Sequence, residues 1–354
     1  MAEGRYRSLG GTGIHVSRLG LGTMMLGAWG NRDRTECIRM IHAALDSGVN
    51  LVDTADVYSG GETEDIVGEA LVGRRDGVVV ATKVHGPMGE DPNRRGNSRR
   101  WIIRACEESL RRLRTDWIDL YQIHRPDPEC DIEETLSALS DLIHQGKVRT
   151  IGTSTFQAEE IVEALWASDR RHLERFRCEQ PPYNIFTRAA EAAVLPTCRR
   201  HGMGVITWTP LCGGWLTGRY RRSLPVEPSP RTEHYPQRYD PDLPQNGRKL
   251  ELVEALLDIA TDVGLSLTHL ALGFVTANPA VSAALIGPRT TEQLLDQLGA
   301  LDVWLDEFTL RRIDMLVPPG ITIDPVDAGY VLPWQRRHWH ERTVVSSLMS
   351  EPAG

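Results

Sequence analysis

The chain has 354 residues, enough for one large domain or two ordinary ones, and its 41% hydrophobic content can fill a sizeable core. Its formal net charge of -8 is spread over interspersed acids and bases, which leaves no basic face for nucleic acid and no polybasic anchor for a membrane, so small-molecule partners are expected. No apolar run approaches the ~18 residues that span a bilayer, and the opening Met1-Ala2-Glu3-Gly4-Arg5 lacks the apolar stretch of a signal peptide; both points lead to the cytoplasm as the expected location.

In chain order, two short alternating runs at residues 6–9 and 14–19 flank Gly10-Gly11-Thr12-Gly13 and predict a β-hairpin with a glycine turn. Apolar strand patterns follow at residues 19–22, 50–53, 78–83, 117–124, 148–152, 176–180, 204–208 and 282–286. Helix-period segments separate or follow them at residues 35–47, 62–72, 98–113, 132–145, 158–167, 188–200, 249–263 and 291–298. Eight strands, each followed by a helix, predict an α/β chain folded as a (β/α)8 TIM barrel with long mouth loops, rather than an open doubly wound sheet. The hairpin could plug its floor. One barrel domain is expected over 1–354, with a core at about 6–317 and a flap or tail over 318–354 that carries Tyr330, Trp334 and Trp339. Residues 221–248, rich in Pro and charge without a period, read as a long insertion between strand seven and helix seven, where a barrel has its catalytic mouth.

The six cysteines include no C-x-x-C pair, and His338-Trp339-His340 has no further ligands at useful spacing, so neither a disulfide nor a metal site is expected. Only Lys83, Lys147 and Lys249 among the 40 basic residues are lysines, a bias read as genomic base composition.

The second strand runs into Asp53-Thr54-Ala55-Asp56-Val57-Tyr58, the third ends in Thr82-Lys83, and the fourth ends in Gln122-Ile123-His124. Each residue alone has an ordinary explanation: a turn cap, a rim aromatic, a solvated strand end, a turn histidine. Together, an acid, a phenol, an ammonium and an imidazole fall at successive strand ends, on the face where barrel enzymes place their chemistry. Carbonyl reduction needs an acid that protonates the oxygen as charge develops on it. Tyrosine is a poor acid, with an unperturbed pKa of ~10, unless a nearby ammonium stabilises its phenolate. Lys83 can supply that charge, Asp53 can hold and orient Lys83, and His124 can donate a hydrogen bond to the substrate oxygen.

The run from Asp53 to Glu64 (DTADVYSGGETE), the lysine after Val-Ala-Thr and the Gln-Ile-His-Arg-Pro stretch resemble the aldo-keto reductases, in particular the bacterial members related to potassium-channel β subunits. The resemblance extends from Tyr6 to about Ala300. It implies a (β/α)8 barrel, an NADPH cofactor lying extended at the mouth, and Asp53, Tyr58, Lys83 and His124 as the catalytic set of a ketoreductase. It also assigns Ser154, Thr155 and Gln180 to the nicotinamide carboxamide, although the family usually has Asn at the position of Thr155, and a hydroxyl does not reproduce an amide's paired donor and acceptor. Trp208, followed by Thr209, takes the place of the aromatic that stacks on the nicotinamide ring. Leu211 and Gly213 would line the pyrophosphate path, and Gly287, Arg289, Gln293 and Gln297 would surround the adenosine, with Arg289 gripping a 2'-phosphate.

Neither Gly10-Gly11-Thr12-Gly13 nor Gly20-Leu21-Gly22 has the strand and helix context of a dinucleotide fingerprint, and no lysine lies four residues after a tyrosine. The Rossmann and short-chain dehydrogenases are thereby disfavoured. Three functions remain open: a carbonyl reductase, an NADPH-sensing regulatory binding protein with little turnover, and a barrel lyase or isomerase without nicotinamide. The intact polar set favours the first. Met25 and Trp29 are expected to wall the substrate pocket, and reduction of a keto-sugar in natural-product biosynthesis is a narrower reading. Substrate identity and oligomeric state are not legible in the sequence.

Overall fold

The computed structural model describes residues 4–224, 229, 232–233 and 235–328. Eight parallel strands close into a barrel: β3 (Leu19–Gly22), β4 (Leu51–Asp53), β5 (Val79–Val84), β6 (Ile118–Ile123), β7 (Val148–Ser154), β8 (Cys178–Gln180), β9 (Gly204–Thr207) and β10 (Ala283–Ile286), with β10 pairing β3 to complete the ring. The (β/α)8 TIM-barrel expectation holds. The first five strand gaps are crossed by α1 (Arg34–Asp46), α2 (Glu62–Ala70), α3 (Arg99–Leu113), α4 (Ile132–His144) and α5 (Ala158–Arg171). Side-chain caps start several of them, Asp33 on the Glu36 N–H, Ser98 on Trp101 and Asp131 on Glu133.

Alternation along the strands sets what fills the barrel. Leu51, Ala81, Leu120, Cys178 and Ile206 pack together in its interior, and the residue two further along each of those strands is Asp53, Lys83, Gln122, Gln180 and Trp208. An apolar layer thus lies directly beneath a polar one at the C-terminal rim. The antiparallel hairpin of β1 (Tyr6–Ser8) and β2 (His15–Ser17) closes the opposite end, with Leu9 and Val16 joining the apolar layer. Gly10 is required there: a Cβ would stand 2.3 Å from the Gly204 nitrogen.

Two helical expectations need correction. The segment at 188–200 is not one helix, because the chain makes a single turn at Ala189–Glu191 and becomes α6 only over Val194–Arg200. Tertiary contacts hold it open: the Arg188 N–H donates to Ile321 O (3.0 Å) and its guanidinium to Val317 O (2.5 Å), which lays the C-terminal segment beside it. The crossover before β10 contains two helices, α7 (Pro244–Asp262) and α8 (Leu267–Ala277), bent 88° from one another. α7 begins inside the expected insertion, where Pro244 suits a first helical turn. α8 escapes a periodicity reading because it is buried nearly all round and has no polar face to contrast. After α9 (Thr291–Leu298), a further helix, α10 (Glu307–Leu316), was also unforeseen. Tyr330, Trp334, Trp339, the histidines at 338 and 340, and part of the insertion lie outside the described residues. Among the described residues no single helix is long and apolar enough to cross a membrane.

Candidate active site

Strand register brings the sequence-predicted polar residues to one rim. Asp53 lies opposite Ala81, Lys83 opposite Gln122, and Ser154 opposite Gln180. Tyr58 arrives from the loop after β4, where Ser59, Gly60 and Gly61 all take positive φ and turn the chain sharply into α2. At Gly61, with φ 101°, a Cβ would also meet the Arg112 side chain at 2.9 Å.

Lys83 is fully buried, with Asp53 beside it. Its Nζ donates to Asp53 Oδ1 (2.5 Å), to Thr54 O (2.8 Å) and to Tyr58 Oη (3.3 Å). Burial alone would lower its pKa, but the Asp53 carboxylate and the Tyr58 hydroxyl outweigh it and hold the ammonium above its usual range. The second oxygen of Asp53 accepts from Gln180 Nε2 (2.9 Å) and Gln122 Nε2 (3.2 Å), so the acid is fixed from both sides. Tyr58 lies between two rings, His124 at 5.9 Å edge-on and Trp29 at 6.0 Å. Burial, reinforced by the charges of Lys83, Arg125 and His85, pushes His124 well below the ordinary imidazole range. A neutral ring with one N–H follows.

Asp53, Tyr58, Lys83, His124, Ser154 and Gln180 therefore come together. Ser154 Oγ donates to Gln180 O (2.9 Å) and Thr155 Oγ1 to Ser154 O (2.7 Å). Trp208 stands half-buried at the end of β9, and Thr209 after it has φ 56° while its carbonyl accepts from Asn184 Nδ2 (3.0 Å). Of the expected pocket walls, Trp29 is 49% exposed at the rim and Met25 is 9% exposed. Leu211 and Gly213 lie in the turn after β9, and Tyr239 Oη donates to the Gly213 carbonyl (3.0 Å). The expected adenosine residues lie in the turn after β10 and on α9: Arg289 N donates to Gln293 Oε1 (2.9 Å), Gly287 is exposed, and Gln297 is buried with an Oε1 that has no donor among the described residues.

Sequence reasoning missed several residues here. Gln122 was detectable, since it lies two residues before His124 on the same strand and must share its inward direction. Asp56 sits inside the recognised motif, yet its carboxyl is buried with no side-chain hydrogen-bond partner among the described residues, and burial, then the Glu64 charge, push it well above the carboxylate range. Glu179, adjacent to Gln180, faces the other way; burial drives it up to about 8, only partly offset by the Thr153 hydroxyl at 2.5 Å. Arg125 reaches back from the end of β6 toward Ser154 and Thr155. No signal in one sequence marks these three.

A closed parallel barrel with a polar ring at the C-terminal strand ends is the architecture of the (β/α)8 enzymes. The sequence narrows the class. Residues 18–318 match the model of the Aldo/keto reductase family. The chain is 38% identical over 328 residues to an uncharacterized oxidoreductase, YrpG, of Bacillus subtilis (strain 168), covering 89% of this chain and 97% of that protein. It is 36% identical over 334 residues to the aldo-keto reductase YhdN of the same organism, covering 93% and 98%. It is also 36% identical over 305 residues to a probable voltage-gated potassium channel subunit beta of Oryza sativa subsp. japonica, covering 84% and 92%. The chain belongs to the aldo/keto reductase family, a family of oxidoreductases.

Proposed function

We propose that this chain reduces an aldehyde or ketone to the alcohol, with NADPH as hydride donor and Tyr58 as proton donor. The observation that carries the reading is the fully buried Lys83 ammonium, bonded to Asp53 at 2.5 Å and to the Tyr58 hydroxyl at 3.3 Å. The residues present fit a nicotinamide dinucleotide. Trp208 offers a half-buried ring at the same rim, and the buried Gln297 Oε1 is an acceptor suited to the amine of an adenine. The same helix, α9, starts just after Arg289, and a helix N-terminus beside a guanidinium favours phosphate.

When bound, the nicotinamide supplies a hydride to the carbonyl carbon. As charge moves to the carbonyl oxygen, Tyr58 Oη gives it a proton and becomes a phenolate. Lys83 stabilises that phenolate, and Asp53, braced by Gln122 and Gln180, keeps the ammonium charged and aimed. Neutral His124 donates its N–H toward the same oxygen and does not compete as an acid. The half-exposed Trp29 face, 6.0 Å from Tyr58, suits a flat substrate such as a sugar ring or an aryl ketone, and a keto-sugar is the narrower reading. A second reading, an NADPH-sensing binding protein with little turnover, has the relative named as a channel subunit beta in its favour.

Single-turnover oxidation of NADPH with a reactive aldehyde, followed by a carbonyl panel that includes keto-sugars, tests both. Cofactor binding without turnover supports the sensor. Tyr58→Phe should bind NADPH and lose ~10²- to 10⁴-fold in rate. A variant that stays within threefold of wild type would mean another acid.

A further inference from the structure

A primary carboxamide presents one carbonyl acceptor and two N–H donors, so a protein site that fixes it needs at least one donor of its own. The three residues expected to meet the nicotinamide carboxamide have their donors turned to the protein: Ser154 to Gln180 O, Thr155 to Ser154 O, and Gln180 Nε2 to Asp53 and to Gln122 Oε1 (3.1 Å). Their oxygens can accept from the amide nitrogen. None of these bonds leaves a donor aimed at the carbonyl.

The gap coincides with the departure from the family pattern. Thr155 stands where the family usually has Asn. Its φ is 61°, a left-handed conformation that Asn adopts more easily than a β-branched residue, so an amide side chain would fit this turn. Arg125 faces this position. It follows His124 directly, its carbonyl is held by Asn97 Nδ2 (3.0 Å), and its Nη1 donates to His124 O (2.7 Å) while standing 3.4 Å from Ser154 Oγ and 3.5 Å from Thr155 Oγ1. The guanidinium carbon is 5.8 Å from the Trp208 ring centroid. One planar cation thus bridges the His124 strand end, the Ser154-Thr155 turn and the ring proposed to carry the nicotinamide. Its five N–H groups allow a guanidinium to serve several acceptors at once.

We propose that Arg125 replaces the missing amide and donates to the carboxamide oxygen of the bound nicotinamide, making it a cofactor-binding residue of this chain. The proposal rests on the nicotinamide reading above. Calorimetric titration of the full chain with NADPH, and separately with 2'-phospho-ADP-ribose, which lacks the nicotinamide, tests it. Arg125→Met should weaken NADPH about tenfold, the size of one lost charge-assisted hydrogen bond, and leave the nicotinamide-free ligand within twofold. Thr155→Asn added to Arg125→Met should recover most of the loss, an outcome that a merely structural arginine would not give. Circular dichroism checks that each variant folds; should Arg125→Met fail to fold, Arg125→Lys, which keeps a charge but loses the planar fork, carries the same comparison. Equal weakening of both ligands, or unchanged NADPH binding, overturns the role of Arg125 while the cofactor reading stands. If the wild-type chain binds neither ligand, the cofactor reading fails and this proposal fails with it.

Discussion

Two of the three lysines in this arginine-rich chain are fully buried, and they do different things. Lys83, on β5, faces one carboxylate and the Tyr58 hydroxyl. Lys249, on α7, faces two carboxylates, bonding Asp324 at 3.0 Å and pairing with Asp327, with its Nζ 5.4 Å from the Trp215 ring centroid. Arg238 also pairs with Asp327, and Trp215 stacks with Tyr239, whose hydroxyl holds the Gly213 carbonyl. This second cluster clasps the C-terminal segment to the insertion after β9. The Cys212 thiol beside it, 3.6 Å from Asp327, is pushed up by burial and by that carboxylate. A buried lysine is therefore no sign of catalysis by itself. What distinguishes Lys83 is one matching acid and a third partner able to give up a proton at the rim of the barrel.

The largest expected effect separates the two. Lys83→Met should lower the single-turnover rate by ~10²-fold or more, and the double variant with Tyr58→Phe should lose far less than the product of the single losses, because both act on one proton transfer. Additive losses would mean two independent roles. Lys249→Met should instead cost about 3–5 kcal/mol of stability, since buried Asp324 loses its cation and Asp327 is left with Arg238 alone, while the folded variant reduces aldehyde near the wild-type rate. Urea unfolding and rapid kinetics measure the pair, and a stable Lys249→Met variant without turnover would end the distinction.

Glu179 sharpens the comparison as a buried acid with no cation paired to it among the described residues. Its folded pKa is raised from 4.5 to about 8, so the fold holds this proton more tightly than the unfolded chain does. The stability it contributes is full below the unfolded value and is lost as pH rises through that window. Wild-type Tm should fall with rising pH more steeply than that of Glu179→Gln, and parallel curves for the two would remove the effect. The smallest effect is expected at Arg289: replacement by Ala should raise the Kd for NADPH and barely change that for NADH. Equal changes would remove its proposed contact with the 2'-phosphate.

The sequence by itself determined the barrel, all eight of its strands and the floor hairpin, and it singled out Asp53, Tyr58, Lys83 and His124 as candidates at one rim. These follow from local rules: period-two alternation that puts Asp53 above Leu51 and Lys83 above Ala81, and motifs confined to single strand ends. The tertiary structure alone decided the rest. α8 is invisible because a helix buried nearly all round has little amphipathic contrast, and the break before α6 arises from contacts with residues more than a hundred positions away. Lys249 reads as an ordinary helix lysine until Asp324 and Asp327 fold onto it, and Arg125 acquires meaning only when β6 and β7 pair and carry its guanidinium to Thr155. Hydrophobic period is written along one segment, whereas the partner of a buried charge is chosen by which distant segments pack together.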